Sequence, residues 1–88
     1  MIVRQSNAFV RAYKKLHDNQ KDIVDHAVMR IVTNPTIGVA KKGNLQGVYV
    51  YKFECLKQRL LLAYEFDTTT RLLLLVGTHE NFYQRVKR

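Results

Sequence analysis

Two apolar runs of strand length near the C-terminus constrain the possible folds of this chain most. Residues 58–66 read QRLLLAYEF and residues 71–76 read RLLLLV, with the polar residues DTTT between them. Periodicity alone does not distinguish a buried strand from a buried helix segment. The short runs, the turn residues and the aromatic content favour strands, so the sequence predicts a β-hairpin. A glycine and a polar segment with His79 and Tyr83 follow, and reactive side chains often lie on such a loop beside a rigid sheet.

The segment before this hairpin predicts another strand, because its side chains alternate in character. Valine, lysine and glutamate side chains fall on one side of residues 48–55, and aromatic side chains and Cys55 fall on the other. Continuing the alternation through both apolar runs gives one face that is entirely apolar and rich in aromatic groups. The opposite face, the mixed face, carries three cations: Lys52, Arg59 and Arg71. We expect helices to cover the apolar face and the mixed face to stay partly open.

The N-terminal part predicts two helices. Ser6 is the expected N-cap of the first, which should end near His17. Asn19 is the expected N-cap of the second, which should end at Asn34, because a residue before proline is disfavoured in helical conformation. Residues 1–4 have the length of a short edge strand, and residues 80–87 that of a last helix. The sequence therefore predicts one α+β domain over residues 1–88, with a helix hairpin packed on an antiparallel sheet of three to four strands.

Charge and cysteine content narrow the class of protein. The chain has 15 Lys and Arg against 7 Asp and Glu, a net charge of +8, which indicates a polyanionic or acidic partner. The single cysteine, Cys55, cannot form an internal disulfide and has no zinc-site spacing around it, which is typical of a reducing compartment. The chain shows neither a signal peptide nor an apolar run long enough to span a bilayer, so we expect a cytoplasmic protein without a membrane partner.

The mixed face and the segment after the last strand suggest chemistry on a phosphodiester. Cleaving RNA through its own 2′-hydroxyl needs a base, an acid and cations that offset charge on the phosphorane. His79 is a candidate base or acid, because imidazole titrates near neutral pH. Lys52 and Arg59 are candidates to hold the phosphate, and Tyr83 to stack on a base or assist proton transfer. This chemistry needs no metal, and the sequence predicts no cofactor. Further basic residues are expected to contact RNA or phosphate: Lys41, Lys42, Lys57, Arg71, Arg85, Lys87 and Arg88.

Three segments of the chain resemble the RelE/ParE superfamily, the small toxins of bacterial type II toxin–antitoxin systems. They are Val50-Tyr51-Lys52-Phe53, Leu60-Leu61-Leu62-Ala63-Tyr64 and Leu74-Leu75-Val76-Gly77-Thr78-His79-Glu80-Asn81-Phe82-Tyr83. The last segment is similar to the branch that ends in a His-Glu-Asn-Phe-Tyr motif and a basic tail. The resemblance implies a microbial RNase-like fold and, for the ribonuclease members, cleavage of mRNA in the ribosomal A site.

Carried over by position, the resemblance implies roles for individual residues. His79 matches a histidine after the last strand, Tyr83 a C-terminal catalytic tyrosine and Lys52 a strand lysine. The RelE branch has a second lysine where this chain has Glu54, and its strand arginine aligns with Leu61, two residues beyond Arg59. Because some branches use a carboxylate as the base, Glu54 and Glu80 remain alternatives to His79.

The resemblance also implies partners and competing functions. A ribonuclease of this superfamily would act on the ribosome and mRNA, and a cognate antitoxin protein would cover its basic surface. The ParE branch shares the fold but inhibits DNA gyrase and lacks the ribonuclease residues. A catalytically silent antitoxin-binding module is the third alternative.

Overall fold

The computed structural model describes residues 1–86 and has a five-stranded sheet with three helices in that range. The order along the chain is β1 (Ile2–Gln5), α1 (Asn7–Lys14), α2 (Asp18–Thr33), β2 (Val39–Ala40), β3 (Tyr49–Cys55), β4 (Gln58–Phe66), β5 (Thr70–Gly77) and α3 (Phe82–Arg85). Two 3₁₀ turns, Pro35–Ile37 and Gly43–Leu45, flank β2. The predicted α+β class is confirmed, and the sheet has one strand more than the largest number predicted. No helix within residues 1–86 has the length and apolar content needed to cross a bilayer.

The sheet order is β1-β5-β4-β3-β2, so the first strand of the chain lies at one edge beside the last. β1 pairs with β5 in parallel, from Ile2 opposite Thr70 to Gln5 opposite Leu73, whereas the other neighbours are antiparallel. Ser6 connects β1 to α1: its hydroxyl donates to Leu74 O at 2.8 Å and accepts from Phe9 N at 3.1 Å. The predicted edge strand and the predicted N-cap at Ser6 are both confirmed.

The connection between α1 and α2 begins earlier in the chain than the sequence predicted and spans Lys15 to His17. α1 ends at Lys14, and α2 has its N-cap at His17 instead of Asn19. The Gln20 side chain accepts a hydrogen bond from His17 N at 2.9 Å, which satisfies an amide at the start of α2. The end of α2 at Thr33, just before Asn34 and Pro35, agrees with the prediction.

Both faces of the sheet carry an apolar cluster. α1 and α2 cover the face predicted to be apolar, where Tyr64 and Leu62 are fully buried. The mixed face has a second cluster in which Leu61, Ala63 and Leu75 pack with Phe82 and Val86 of the C-terminal segment. The expectation that the mixed face stays partly open is therefore wrong at its centre, because the chain folds back over it after β5.

A β-bulge in β5 changes which face its side chains occupy. Ala63 lies opposite Leu75, but the next residue of β4, Tyr64, lies opposite Leu73, so Leu74 is the extra residue. Leu74 and Leu75 both join the cluster on the mixed face, and Leu73 joins the helix-covered face. The prediction of strict alternation along β5, which assigned Arg71 to the mixed face, is wrong for this reason.

Arg71 is buried between the sheet and α2, with 5% of its surface exposed. Its guanidinium donates to Asp67 O at 2.7 Å and to Val32 O at 3.2 Å, and it lies 5.7 Å from the centre of the Phe66 ring. These contacts join the β4–β5 turn to the last turn of α2. Arg71 thus stabilises the fold, and the prediction that it contacts RNA or phosphate is not supported by its position.

The hydroxyl of Tyr64 holds the segment that leads from α2 to β2. It accepts from Gly38 N at 3.0 Å and donates to Pro35 O at 2.5 Å. Burial raises the pKa of the Tyr64 hydroxyl, so the group stays protonated and able to donate. The side chain of Tyr64 therefore fixes where the following residues, including β2, lie against the sheet.

We expect Tyr64→Phe to lower the free energy of unfolding by about 1–3 kcal/mol, because it leaves the Gly38 amide and the Pro35 carbonyl without their partner. Urea denaturation followed by circular dichroism measures this change. Tyr51→Phe is the matched control, since the Tyr51 hydroxyl accepts from Arg30 Nη1 at 3.1 Å in an exposed position where water can replace it. Equal losses in the two variants would contradict the buried pairing of Tyr64.

Candidate functional site

The segment after β5 presents the two side chains that the sequence singled out. The chain turns beyond Gly77, Phe82 N donates to His79 O at 3.2 Å, and Asn81 adopts a left-handed conformation with φ of 57°. Phe82 is fully buried in the cluster on the mixed face and anchors α3. His79 is exposed, and Tyr83 is half-buried beside it. The turn and this one aromatic anchor therefore position the candidate site.

His79 and Tyr83 lie together, as predicted. Their ring centres are 6.1 Å apart with an interplanar angle of 84°, and the Phe82 and Tyr83 rings are 5.6 Å apart in a similar edge arrangement. Both side chains line a depression with a volume of about 800 Å³, here called the site cavity. Its lining residues are Asn44, Leu45, His79, Asn81, Phe82, Tyr83, Gln84 and Val86.

Lys41 brings a positive charge to this pair. Its Nζ lies 4.9 Å from the centre of the Tyr83 ring, within the range of a cation–π contact. The Lys41 amide donates to Val48 O at 2.9 Å, which fixes the backbone from which the side chain extends. The sequence grouped Lys41 with the general basic residues, whereas the structure places it against a candidate catalytic side chain.

Lys52 and Arg59 lie on the mixed face of the sheet, and neither lines the site cavity. Lys52 is opposite Leu61, and Leu61 is opposite Gly77, so the Lys52 backbone is two strand spacings, about 10 Å, from the end of β5. Arg59 Nε is 3.9 Å from Glu54 Oε2 in an ion pair that is largely exposed on both sides. Such surface pairs contribute little to stability, so the Arg59 guanidinium remains available to an anion.

The other basic residues predicted to bind RNA occupy different places. Arg85 lies across the end of β5, since a side chain at Gly77 would come within 3.6 Å of Arg85 Nη1. Lys42 is exposed where the chain leaves β2, and Lys57 is exposed in the turn between β3 and β4. Lys87 and Arg88 lie outside the described residues.

Sequence reasoning missed the part of the site cavity contributed by the loop between β2 and β3. Asn44 and Leu45 belong to the 3₁₀ turn there, which is bounded by Gly43 and Gly47, both with positive φ. Positive φ values favour glycine, so the two glycines in the sequence indicated a tight turn in this loop. They carried no information about which part of the chain the loop would contact.

Known structures share this fold. A free double mutant of the Escherichia coli toxin RelE has a TM-score of 0.76 and 15% identity, covering 97% of this chain and 92% of that one. The toxin of the intact E. coli RelBE toxin–antitoxin complex has a TM-score of 0.73 and 15% identity, covering 90% of this chain and 96% of that one. The toxin–antitoxin complex RelBE2 from Mycobacterium tuberculosis has a TM-score of 0.70 and 22% identity, covering 89% of this chain and 96% of that one. At these identities the likeness shows the fold.

The sequence itself matches a family model. No curated protein sequence matches the chain. The model of ParE-like toxins of type II bacterial toxin–antitoxin systems matches residues 3–87, which is nearly the whole sequence. The resemblance to the RelE/ParE superfamily is thereby confirmed, and the chain belongs to the family of ParE-like toxins of type II bacterial toxin–antitoxin systems.

Proposed function

We propose that this toxin is a ribosome-dependent endoribonuclease that cleaves mRNA and so inhibits translation in the cytoplasm. The observation that carries the proposal is that His79 and Tyr83 lie together at the site cavity and that Lys41 Nζ lies over the Tyr83 ring. An imidazole, a phenol and an ammonium group within reach of one substrate supply proton transfer and charge stabilisation together. The fold shared with the E. coli toxin RelE supports the proposal.

The proposed reaction is attack of a 2′-hydroxyl on the adjacent phosphorus. His79 takes the 2′ proton, the oxygen forms a bond to phosphorus, and the bond from phosphorus to the 5′ oxygen breaks. The Tyr83 hydroxyl gives a proton to the departing 5′ oxygen, which leaves a 2′,3′-cyclic phosphate on the upstream fragment. Glu80 follows His79 directly and is exposed, so it is the alternative base if His79 proves dispensable.

Cations around the site cavity would stabilise the charge that builds up on the phosphorane. Lys41 Nζ lies over the Tyr83 ring, and Lys52 and Arg59 lie on the mixed face of the sheet. Arginine holds a phosphate with two parallel hydrogen bonds, whereas lysine acts as a point charge. We therefore assign Arg59 to orienting the phosphate and Lys41 and Lys52 to neutralising it.

The proposed protein partner is a cognate antitoxin. The E. coli and M. tuberculosis relatives were solved as toxin–antitoxin complexes, and a second E. coli RelE structure holds a peptide of its antitoxin. With a net charge of +8, this toxin would attract an acidic or amphipathic antitoxin segment, and such a segment would compete with RNA.

The experiment that tests the proposal is translation of a reporter mRNA in a purified system, followed by primer extension. We expect discrete cleavage sites in the translated message and none in a message whose start codon has been removed. An intact message with normal protein output would overturn the proposal. Cleavage of both messages would contradict only its dependence on the ribosome.

Inhibition of DNA gyrase is the second candidate function, and the family match to ParE-like toxins is the observation that favours it. A supercoiling assay with purified gyrase distinguishes the two, because a ribonuclease leaves gyrase unaffected. If the protein neither cleaves mRNA nor inhibits gyrase yet binds its antitoxin, it is the silent binding module.

A further inference from the structure

A second depression lies next to the site cavity, between α1, β5 and α3. It has a volume of about 340 Å³ and is here called the basic groove. Its lining residues are Ala8, Arg11, Ala12, Lys15, Leu75, Gln84 and Arg85. Three of these seven residues are cations and none is acidic. The fold creates this concentration of charge, since the residues come from distant parts of the sequence.

The cations of the basic groove lack an ion-pair partner among residues 1–86. Arg11, Lys15 and Arg85 are all exposed, and none forms an ion pair with another residue of the described part of the chain. Lys15 is the C-cap of α1, in helical conformation, and follows Arg11 by four residues, so the two are about 6 Å apart along one face of the helix. Like charges at this spacing repel each other, so an anion in the basic groove would relieve an unfavourable interaction.

The basic groove is continuous with the site cavity. Gln84 lines both depressions, and Arg85 extends from α3 across Gly77, two residues before His79. A chain molecule that enters the site cavity can therefore continue past Gln84 along α1. The small side chains of Ala8 and Ala12 also line the basic groove and leave room for a backbone to approach.

We propose that the basic groove binds the phosphate backbone of the same RNA strand whose bond lies in the site cavity. This inference rests on the proposed ribonuclease function and extends it to the nucleotides flanking the cut. No aromatic side chain is among the described residues that line the basic groove, so its contacts are with phosphates and are independent of base sequence. Tyr83 in the site cavity can stack on a base, so any base preference arises there.

The test is the salt dependence of RNA binding by the double variant Arg11→Ala/Lys15→Ala. The probes are a fluorescent dinucleotide and a decanucleotide, both with 2′-O-methyl groups, which remove the attacking hydroxyl and separate binding from cleavage. Each removed phosphate contact should lower the slope of log affinity against log salt concentration by about 0.7. The ratio of the decanucleotide affinity of the unmodified toxin to that of the variant should therefore fall about sevenfold between 50 and 200 mM salt. Dinucleotide binding should be the same in both proteins.

Arg4→Ala/Lys14→Ala is the matched control, because it removes the same charge from exposed positions outside the basic groove. Alanine favours helix at positions 11 and 14 within α1, and Lys15 is its C-cap in helical conformation, so these substitutions should not unfold α1. An unchanged salt slope in Arg11→Ala/Lys15→Ala would overturn the inference, as would an equal change in the control. Weaker binding to ribosomes with unchanged decanucleotide binding would also overturn it, since the groove would then face the ribosome. The primer-extension result decides the ribonuclease function separately.

Discussion

Replacing His79 with alanine is expected to slow ribosome-dependent cleavage by about 10²- to 10⁴-fold, the usual contribution of a general acid or base. His79 is exposed in the site cavity, and its main neighbour is Tyr83. Its removal should therefore leave the fold and antitoxin binding unchanged. The measurement is the rate of message cleavage in the purified translation system, with circular dichroism to compare the folds.

His26→Ala is the matched control for this prediction. His26 is also an exposed histidine, but it lies on α2, and its Nδ1 is 2.8 Å from Asp22 O. Cleavage by the control should equal that of the unmodified toxin. Retained cleavage in His79→Ala would assign the base to a carboxylate, and Glu80→Gln would then be the next variant.

Tyr83→Phe separates two roles of the tyrosine at the same site. Phenylalanine keeps a ring that can contact His79 and Lys41, but it lacks the hydroxyl proton. A rate close to that of the unmodified toxin would make Tyr83 a stacking residue and leave the leaving-group proton to another donor.

Leu62→Asp is expected to unfold the protein. Leu62 is fully buried under the helices, in the central strand β4, with Tyr51 and Val76 opposite it on the two neighbouring strands. An unpaired carboxylate in an apolar interior costs several kcal/mol. A domain of this length has a total stability of about 4–13 kcal/mol, so the substitution should remove most or all of it. Circular dichroism and thermal unfolding measure the loss.

Leu56→Asp is the matched control for the buried substitution. Leu56 is 57% exposed in the β3–β4 turn, with φ of 59°, a conformation that aspartate tolerates better than leucine. The stability of the Leu56→Asp variant should equal or slightly exceed that of the unmodified protein. A soluble, native-like Leu62→Asp protein would mean that the helix-covered face of the sheet is not the principal core.

The sequence predicted the faces of β3 and β4 well because neither strand has a bulge, so successive side chains occupy opposite faces throughout. The assignment of Leu60, Leu62 and Tyr64 to the helix-covered face is confirmed, as is that of Leu61 and Ala63 to the other. β5 was harder because its leucines are consecutive, and a run of identical residues cannot show where a bulge shifts the register. The burial of Arg71 follows from that bulge and could not be predicted from composition.

The candidate site was predictable only where its residues are close in sequence. His79 and Tyr83 follow the last strand within a few residues of each other, so a short turn brings them together. Lys41 reaches Tyr83 because the 3₁₀ turn at Gly43–Leu45 directs the loop between β2 and β3 toward α3. Long-range proximity of this kind depends on the packing of the whole domain, and a single sequence holds no local signal for it.

The parallel pairing of β1 with β5 determines when this chain can complete its sheet during its own synthesis. In the sheet of residues 1–86, β1 pairs with β5 alone, and the nascent chain therefore carries β1 unpaired while residues 6–69 are translated. Contacts between distant parts of a sequence also form slowly, because a long loop must close first. His79 and Tyr83 are translated after β5, so any premature stop codon before Thr70 removes both the sheet partner and the site. The sheet and the candidate site can therefore form only after residues 1–83 have been translated.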